Sequence, residues 1–276
     1  MNYVPDQNLT PVALARRPAA IHNAHMLPWR YALGLFRDLV FPDSCLACER
    51  TLAADEGPWC LPCAQEVSAA VATDYCPRCG SSAAPHLASA EGCPDCRAHR
   101  NPLDGLARVG PYQGIIRDLV LAFKYHRRQR LDGPLGALLA AAIQGQAWAD
   151  DLEALVPVPT NWRGRLRYRF HPVGLMARIA GQHLALPALP VVEVRGKKRR
   201  QMELPASSRP ANVRGVFRVG RRARLEGASW CIVDDVATTG ATLREVARVL
   251  RQAGAARVYA AILAKTAPDQ ATILRA

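Results

Sequence analysis

Residues Trp230 to Leu243 read W-C-I-V-D-D-V-A-T-T-G-A-T-L, and this run decides how the C-terminal half of the chain folds. An apolar strand, Trp230 to Val233, is predicted to stop at the adjacent carboxylates Asp234 and Asp235, after which small residues lead into a helix. Ala237, Thr238, Thr239, Gly240, Ala241 and Thr242 carry little side-chain bulk, so their backbone N–H groups can close on an anion at the helix start. There the helix dipole also favours negative charge. The threonine hydroxyls add donors, and Gly240 permits a backbone conformation that a Cβ would resist. Two carboxylates repel phosphate, so their partners are neutral hydroxyls or a metal. A sugar phosphate satisfies both halves of the run.

Outward from this run, Leu243, Val246, Val249, Leu250 and Ala253 recur near the 3.6 period, and Gly254 stands where a helix would end. Arg257 to Ala264 reads as a second buried strand, completing a strand, helix, strand unit of the parallel-sheet kind. Leu152 to Val158 and Leu189 to Val194 read as further strands. The fold class expected is α/β, a parallel sheet flanked by helices. The competing reading is an ordinary strand-to-helix turn whose aspartates cap the helix; an acidic pair followed by T-T-G-A-T is more specific than that.

Eight of the nine cysteines form four C-x-x-C pairs: Cys45/Cys48, Cys60/Cys63, Cys76/Cys79 and Cys93/Cys96, separated by 11, 12 and 13 residues. Pro62, Pro77 and Pro94 lie inside the pairs, and Gly80 and Gly92 beside them, as in tight metal-binding turns. Eight thiolates supply two tetrahedral Zn(Cys)4 sites. Pairs one with two and three with four is the expected grouping, a cross-braced one the alternative. A disulfide framework competes, but it needs an oxidising compartment, and the N-terminus carries no signal peptide pattern. Redox C-x-x-C chemistry would not call for four evenly spaced copies. Cys231, the ninth, sits in an apolar strand as a core residue.

Residues 1–100 hold 8 Arg/Lys against 10 Asp/Glu, whereas residues 101–276 hold 28 against 13. Between Thr160 and Arg224 there are 16 basic and 2 acidic residues. Such a field concentrates polyanions, and a small phosphorylated ligand needs only a few of these cations. Arg163, Arg165, Arg167 and Arg169 alternate with Trp162, Leu166, Tyr168 and Phe170, so bases would stack while arginines take phosphates of a single strand. The cluster Lys197, Lys198, Arg199 and Arg200 adds four more cations. Two plain readings compete: an edge strand with its arginines outward, and a GC-rich genome, since 32 of the 36 basic residues are arginine.

Three segments follow from composition: residues 1–40 as an extension and an amphipathic lead-in, 41–100 as a cysteine-rich module, and 101–276 as the α/β domain. No apolar run approaches the roughly 20 residues of a membrane helix, so neither membrane insertion nor a location outside the cytoplasm is expected.

D-D-V-A-T-T-G-A-T resembles the phosphoribosyl pyrophosphate (PRPP) motif of type I phosphoribosyltransferases. The resemblance implies that Asp234 and Asp235 hold the ribose 2′ and 3′ hydroxyls while Ala237 to Thr242 wrap the 5′-phosphate. It further implies Mg²⁺ on the departing pyrophosphate. Thr160, Asn161 and Arg163 stand where a pyrophosphate-binding loop would follow the first sheet strand, and Lys197 or Lys198 would neutralise the leaving group from a loop closing over the reaction centre.

Over about residues 40–265 the chain is similar to the ComF family, whose members join a double zinc ribbon to a type I domain. The signs are Phe41-Pro42 before Cys45, the four C-x-x-C pairs, Phe123-Lys124-Tyr125, Gln201, Arg209, Asn212-Val213, Phe217 and the PRPP motif. One stretch departs: Tyr168-Arg169-Phe170-His171-Pro172 stands where members commonly carry R-G-F-N-Q. The family implies a role in DNA uptake during natural transformation, with single-stranded DNA and uptake proteins as partners. It leaves two functions open: a transferase acting on a nucleobase or amine, and a nucleic-acid accessory protein that retains PRPP binding.

Overall fold

The computed structural model describes residues 44–53, 56–82, 92–98, 101–125, 131–159, 172–195, 213–220, 223 and 225–267. The chain divides into two units, 1–62 and 63–276. The helices are α1 (Leu61–Val71), α2 (Pro94–Ala98), α3 (Gly114–Tyr125), α4 (Asp132–Gln144), α5 (Pro172–Leu184) and α6 (Ala241–Gln252). The strands are β1 (Gly105–Pro111), β2 (Ala154–Pro157), β3 (Val192–Val194), β4 (Phe217–Val219), β5 (Ser229–Ala237) and β6 (Arg257–Lys265).

Among the described residues, β1, β6, β5 and β2 lie side by side in that order as one parallel sheet. The two central strands are apolar almost throughout and buried along nearly their whole length, as a parallel sheet covered on both faces requires. Alternate side chains divide between the faces. Leu106, Val156, Trp230, Ile232, Ala260 and Ile262 share one core with Leu243, Val246, Ala247 and Leu250 of α6. The residues between them face the other way, and α4 and α5 pack on each other and on the sheet. Gly136 is where those two helices meet, since a Cβ there would stand 2.6 Å from Ile179. β3 and β4 form a separate antiparallel pair, with Val192 opposite Val219.

The strand through the acidic pair is longer than expected. It runs on to Ala237 because β6 offers partners for it, pairing Asp234 with Ile262, Val236 with Ala264 and Ala237 with Lys265. Paired backbone outweighs the low strand preference of aspartate. The helix and the strand that follow lie where the periodicity puts them, and Gly254, at φ +99°, comes two residues after α6 ends. Cys231 is fully buried, as expected of a core residue. No helix among the described residues is long and apolar enough to cross a membrane.

Candidate functional site

Asp234 and Asp235 stand near the C-terminal end of β5, 7% and 9% exposed. Asp234 Oδ1 accepts the Asp235 N–H at 2.9 Å, and Asp235 Oδ1 accepts the Val236 N–H at 2.6 Å. The other Asp235 oxygen lies 2.9 Å from Lys124 Nζ at the end of α3. Burying two adjacent carboxylates is costly unless a cation and hydrogen bonds compensate. Lys124 supplies that cation from 111 positions upstream; the only signal for it in the sequence is the Phe123-Lys124-Tyr125 triplet.

The chain then turns through Thr238, Thr239 and Gly240 into α6. Gly240 is the N-cap of α6 and adopts φ +72°, ψ 8°, the left-handed conformation anticipated for it. A side chain there would strain the backbone and meet Arg244 Nη1 at 3.2 Å. Arg244 donates to the Thr239 carbonyl at 2.8 Å, and Lys265, at the end of β6, donates to the Thr238 carbonyl. Thr239 Oγ1 accepts the Ala241 N–H at 3.4 Å, and Thr242 is buried at the first turn. Two cations thus hold the loop from its carbonyl side, and its amide side faces the N-terminal end of α6, the positive end of the helix dipole. Burial lowers the affinity of Lys265 for its proton.

A second device fixes the chain entering β4. Glu245 of α6, 7% exposed, accepts the Gly215 N–H at 2.7 Å and a two-pronged contact from Arg248 at 2.8 and 2.6 Å. The Arg248 hydrogen bonds, opposed by burial and helped by the Gly215 amide, hold the Glu245 carboxyl below its ordinary value of 4.5. A carboxyl with a depressed folded pKa stabilises fully above its unfolded value and ceases to do so as pH falls through the folded one. Glu245→Gln keeps an acceptor for Gly215 but sets amide donors against a guanidinium. We expect a loss of about 1–3 kcal/mol in denaturant unfolding at neutral pH and a gap from the parent protein that narrows below the ordinary carboxylate range. An equal gap at pH 7 and pH 3 would contradict this assignment.

The cysteines form two quartets, Cys45, Cys48, Cys60 and Cys63, and Cys76, Cys79, Cys93 and Cys96, each with its sulfurs within 4.8 Å of one another. This is the grouping of pairs one with two and three with four. Sulfur separations of 3.6 Å (Cys48 to Cys60), 3.8 Å (Cys79 to Cys93) and 3.9 Å (Cys76 to Cys96) match the edge of a ZnS₄ tetrahedron, which is about 3.8 Å for Zn–S bonds of about 2.3 Å. They are far from the disulfide bond length of about 2.05 Å. The knuckles repeat each other: Cys45 N–H donates to Arg50 O and Cys76 N–H to Ser81 O, with Glu49 (φ +65°) and Gly80 (φ +75°) at the same turn position. Hydrogen bonding from Cys79 pulls the Cys76 thiol down to about 4, against the opposing effect of burial. The Cys93 N–H donates to Cys76 Sγ at 3.2 Å, a contact that orients a thiolate ligand. The donor sets fit structural zinc.

Arg108 of β1, an isolated cation in an apolar run, seats the second knuckle and escaped the sequence reading. It is 2% exposed and donates to Gly80 O at 2.9 Å, Ser82 Oγ at 3.0 Å and Thr73 Oγ1 at 3.0 Å, with its guanidinium carbon 4.7 Å from the Tyr75 ring centre. Thr160, Asn161, Arg163, Arg165, Arg167, Arg169, Lys197, Lys198, Arg199 and Arg200 lie outside the described residues, as do residues 1–43, His171, Gln201, Arg209 and Asn212.

Two family models match, the double zinc ribbon domain over residues 36–97 and the phosphoribosyl transferase domain over residues 173–273. DNA utilization protein YhgH of Salmonella typhimurium is 30% identical over 83% of this chain and 99% of that protein. Competence protein F of Haemophilus influenzae is 26% identical over 76% of this chain and 91% of that protein. Among solved structures, glutamine phosphoribosylpyrophosphate amidotransferase from B. subtilis aligns with a TM-score of 0.37 and 19% identity, over 51% of this chain and 30% of that one. With both domains matched in order and relatives aligned over nearly their full length, the chain belongs to the ComF family of double-zinc-ribbon phosphoribosyltransferase-domain proteins.

Proposed function

We propose that this protein binds PRPP and acts with single-stranded DNA in DNA uptake, as a cytoplasmic protein of the ComF type. The observation that carries the reading is the buried pair Asp234 and Asp235 beside a glycine-hinged threonine loop at the start of α6. In this reading the two carboxylates accept the ribose hydroxyls, and the backbone and hydroxyls of Ala237 to Thr242 hold the 5′-phosphate. Lys124 holds Asp235 in place through their ion pair while the sugar is bound. Mg²⁺ would arrive on the pyrophosphate and keep water and substrate oxygens as its ligands.

Thr160, Asn161 and Arg163 are assigned to the pyrophosphate, and Lys197 and Lys198 to neutralising its departing charge. Arg163, Arg165, Arg167, Arg169, Arg199 and Arg200, with those lysines, are assigned to the strand. The DNA role takes support from the names Competence protein F and DNA utilization protein YhgH carried by the relatives, and from the basic C-terminal part. Domain limits of 41–100 and 101–276, after an extension over 1–40, belong to the same proposal.

Calorimetric titration of the zinc-loaded protein with PRPP and Mg²⁺ is the test, and saturable binding is expected. Steady pyrophosphate release with a nucleobase or amine would favour the alternative, a transferase with no nucleic-acid role. Absence of binding by both PRPP and ribose 5-phosphate would overturn the reading.

A further inference from the structure

A cleft of about 500 Å³ opens between the second cysteine knuckle and the start of α6, within the second unit. Thr239 and Gly240, part of the loop assigned above to the 5′-phosphate, line one side of it, while Asp234 and Asp235 are not among its lining residues, so it adjoins the sugar-phosphate site from the side of the cysteine knuckle. Three cations reach it from three parts of the chain: Arg78 from the knuckle, Arg244 from α6 and Lys265 from the end of β6. No carboxylate is among its described lining residues. Cys79 and Cys96 also line it, and a zinc tetrathiolate carries a net charge of about −2. The three cations outweigh that charge, leaving an excess that favours an anion.

The cations are set in place rather than loosely solvated. Arg244 and Lys265 are anchored to the Thr239 and Thr238 carbonyls, and a guanidinium has five N–H donors, of which Arg244 spends one in that contact. Arg78 Nε is buried and has no hydrogen-bond partner among the described residues. A buried donor without an acceptor costs about 1–3 kcal/mol, and a phosphate against the Arg78 wall of the cleft brings negative charge toward that under-compensated guanidinium. The volume is that of a small-ligand pocket, enough for one nucleotide unit and too small for a duplex.

We propose that this cleft holds a phosphodiester unit of a single-stranded nucleic acid, with its phosphate on Arg78, Arg244 and Lys265. The proposal rests on the reading that the protein works on single strands, and it adds a site carried by the zinc knuckle to the arginine-rich segment. Because Arg244 and Lys265 also brace the PRPP loop, the strand and the sugar phosphate share two of their counter-charges, so each is expected to weaken the other by the same factor.

The test is fluorescence anisotropy of labelled d(T)12 and r(U)12 on the zinc-loaded protein from 50 to 200 mM salt, with polyphosphate as an unlabelled competitor. Each lost phosphate contact on a single strand lowers the salt slope by about 0.7. Arg78→Gln with Arg244→Gln, which strips two of the three cations from that one phosphate, is therefore expected to flatten the slope by up to about 0.7, whereas Arg78→Lys, which keeps the charge, holds the parent slope. Arg78→Gln alone is expected to leave the zinc content intact. The d(T)12 and r(U)12 arms identify which strand supplies the phosphodiester, either result supporting the site. An unchanged slope in the double variant, with zinc retained, overturns the proposal, as does a loss confined to polyphosphate. A parent protein that ignores both oligonucleotides instead removes the strand half of the proposed function, while PRPP binding is read separately.

Discussion

Changing Asp234 and Asp235 together to asparagine is expected to weaken PRPP binding roughly 100-fold, about 3 kcal/mol, with single-strand binding intact. The size follows from what asparagine keeps. Its carbonyl still accepts a hydroxyl hydrogen bond, but the charge assistance is lost twice, at about 1.5 kcal/mol each. One effect runs the other way: Lys124 loses its ion pair with Asp235, and its ammonium then draws the anionic ligand toward the site. That gain is small, because the Lys124 side chain is 25% exposed and water screens it. Calorimetry on both proteins decides the matter, and an affinity within threefold of the parent would show that the pair does not hold the sugar. A parallel fall in d(T)12 affinity would show that the sugar site and the strand site are one.

Replacing Cys76 and Cys79 by serine is expected to lower zinc from two ions per chain to one and to unseat the second knuckle. Structural zinc contributes on the order of 10 kcal/mol of binding free energy to the module that holds it, so this half of the ribbon has no other comparable source of stability. The consequence reaches the sheet through Arg108. Its guanidinium is buried against Gly80, Ser82 and Thr73, and loss of the knuckle leaves a buried charge without its Gly80 and Ser82 acceptors. Breaking such an arrangement costs about 3–5 kcal/mol, which a melting experiment on the zinc-loaded variant reads directly. Retention of two zinc ions, or an unchanged melting temperature with one, would show that the knuckle and the sheet are energetically independent.

The four C-x-x-C pairs and the D-D-V-A-T-T-G-A-T run were legible because metal-ligand spacing and turn chemistry are local: each motif carries its ligands within a few residues of one another. The helix over 241–252 and the strand after it were legible for the same reason, through hydrophobic period. The end of β5 was not, since it depends on β6 being there to pair with Asp234 through Ala237. Lys124, Arg108 and Glu245 were also missed as site builders. Each looks like an ordinary charge in its own segment and acquires a role only from a partner at least 28 positions away: Asp235, Gly80 and Gly215 respectively.

By itself the sequence determined the chemistry on offer: eight thiols in two sets of four, two carboxylates, and a loop small enough to take a phosphate. Only the tertiary structure decided how those groups are held, because parallel strands from distant parts of the chain had to lie together as β1-β6-β5-β2 before α3 could bring Lys124 to Asp235 or β1 could present Arg108 to the knuckle. Buried charge is stable only where its compensating partner is also buried, and that pairing is a property of the packed sheet rather than of any single segment.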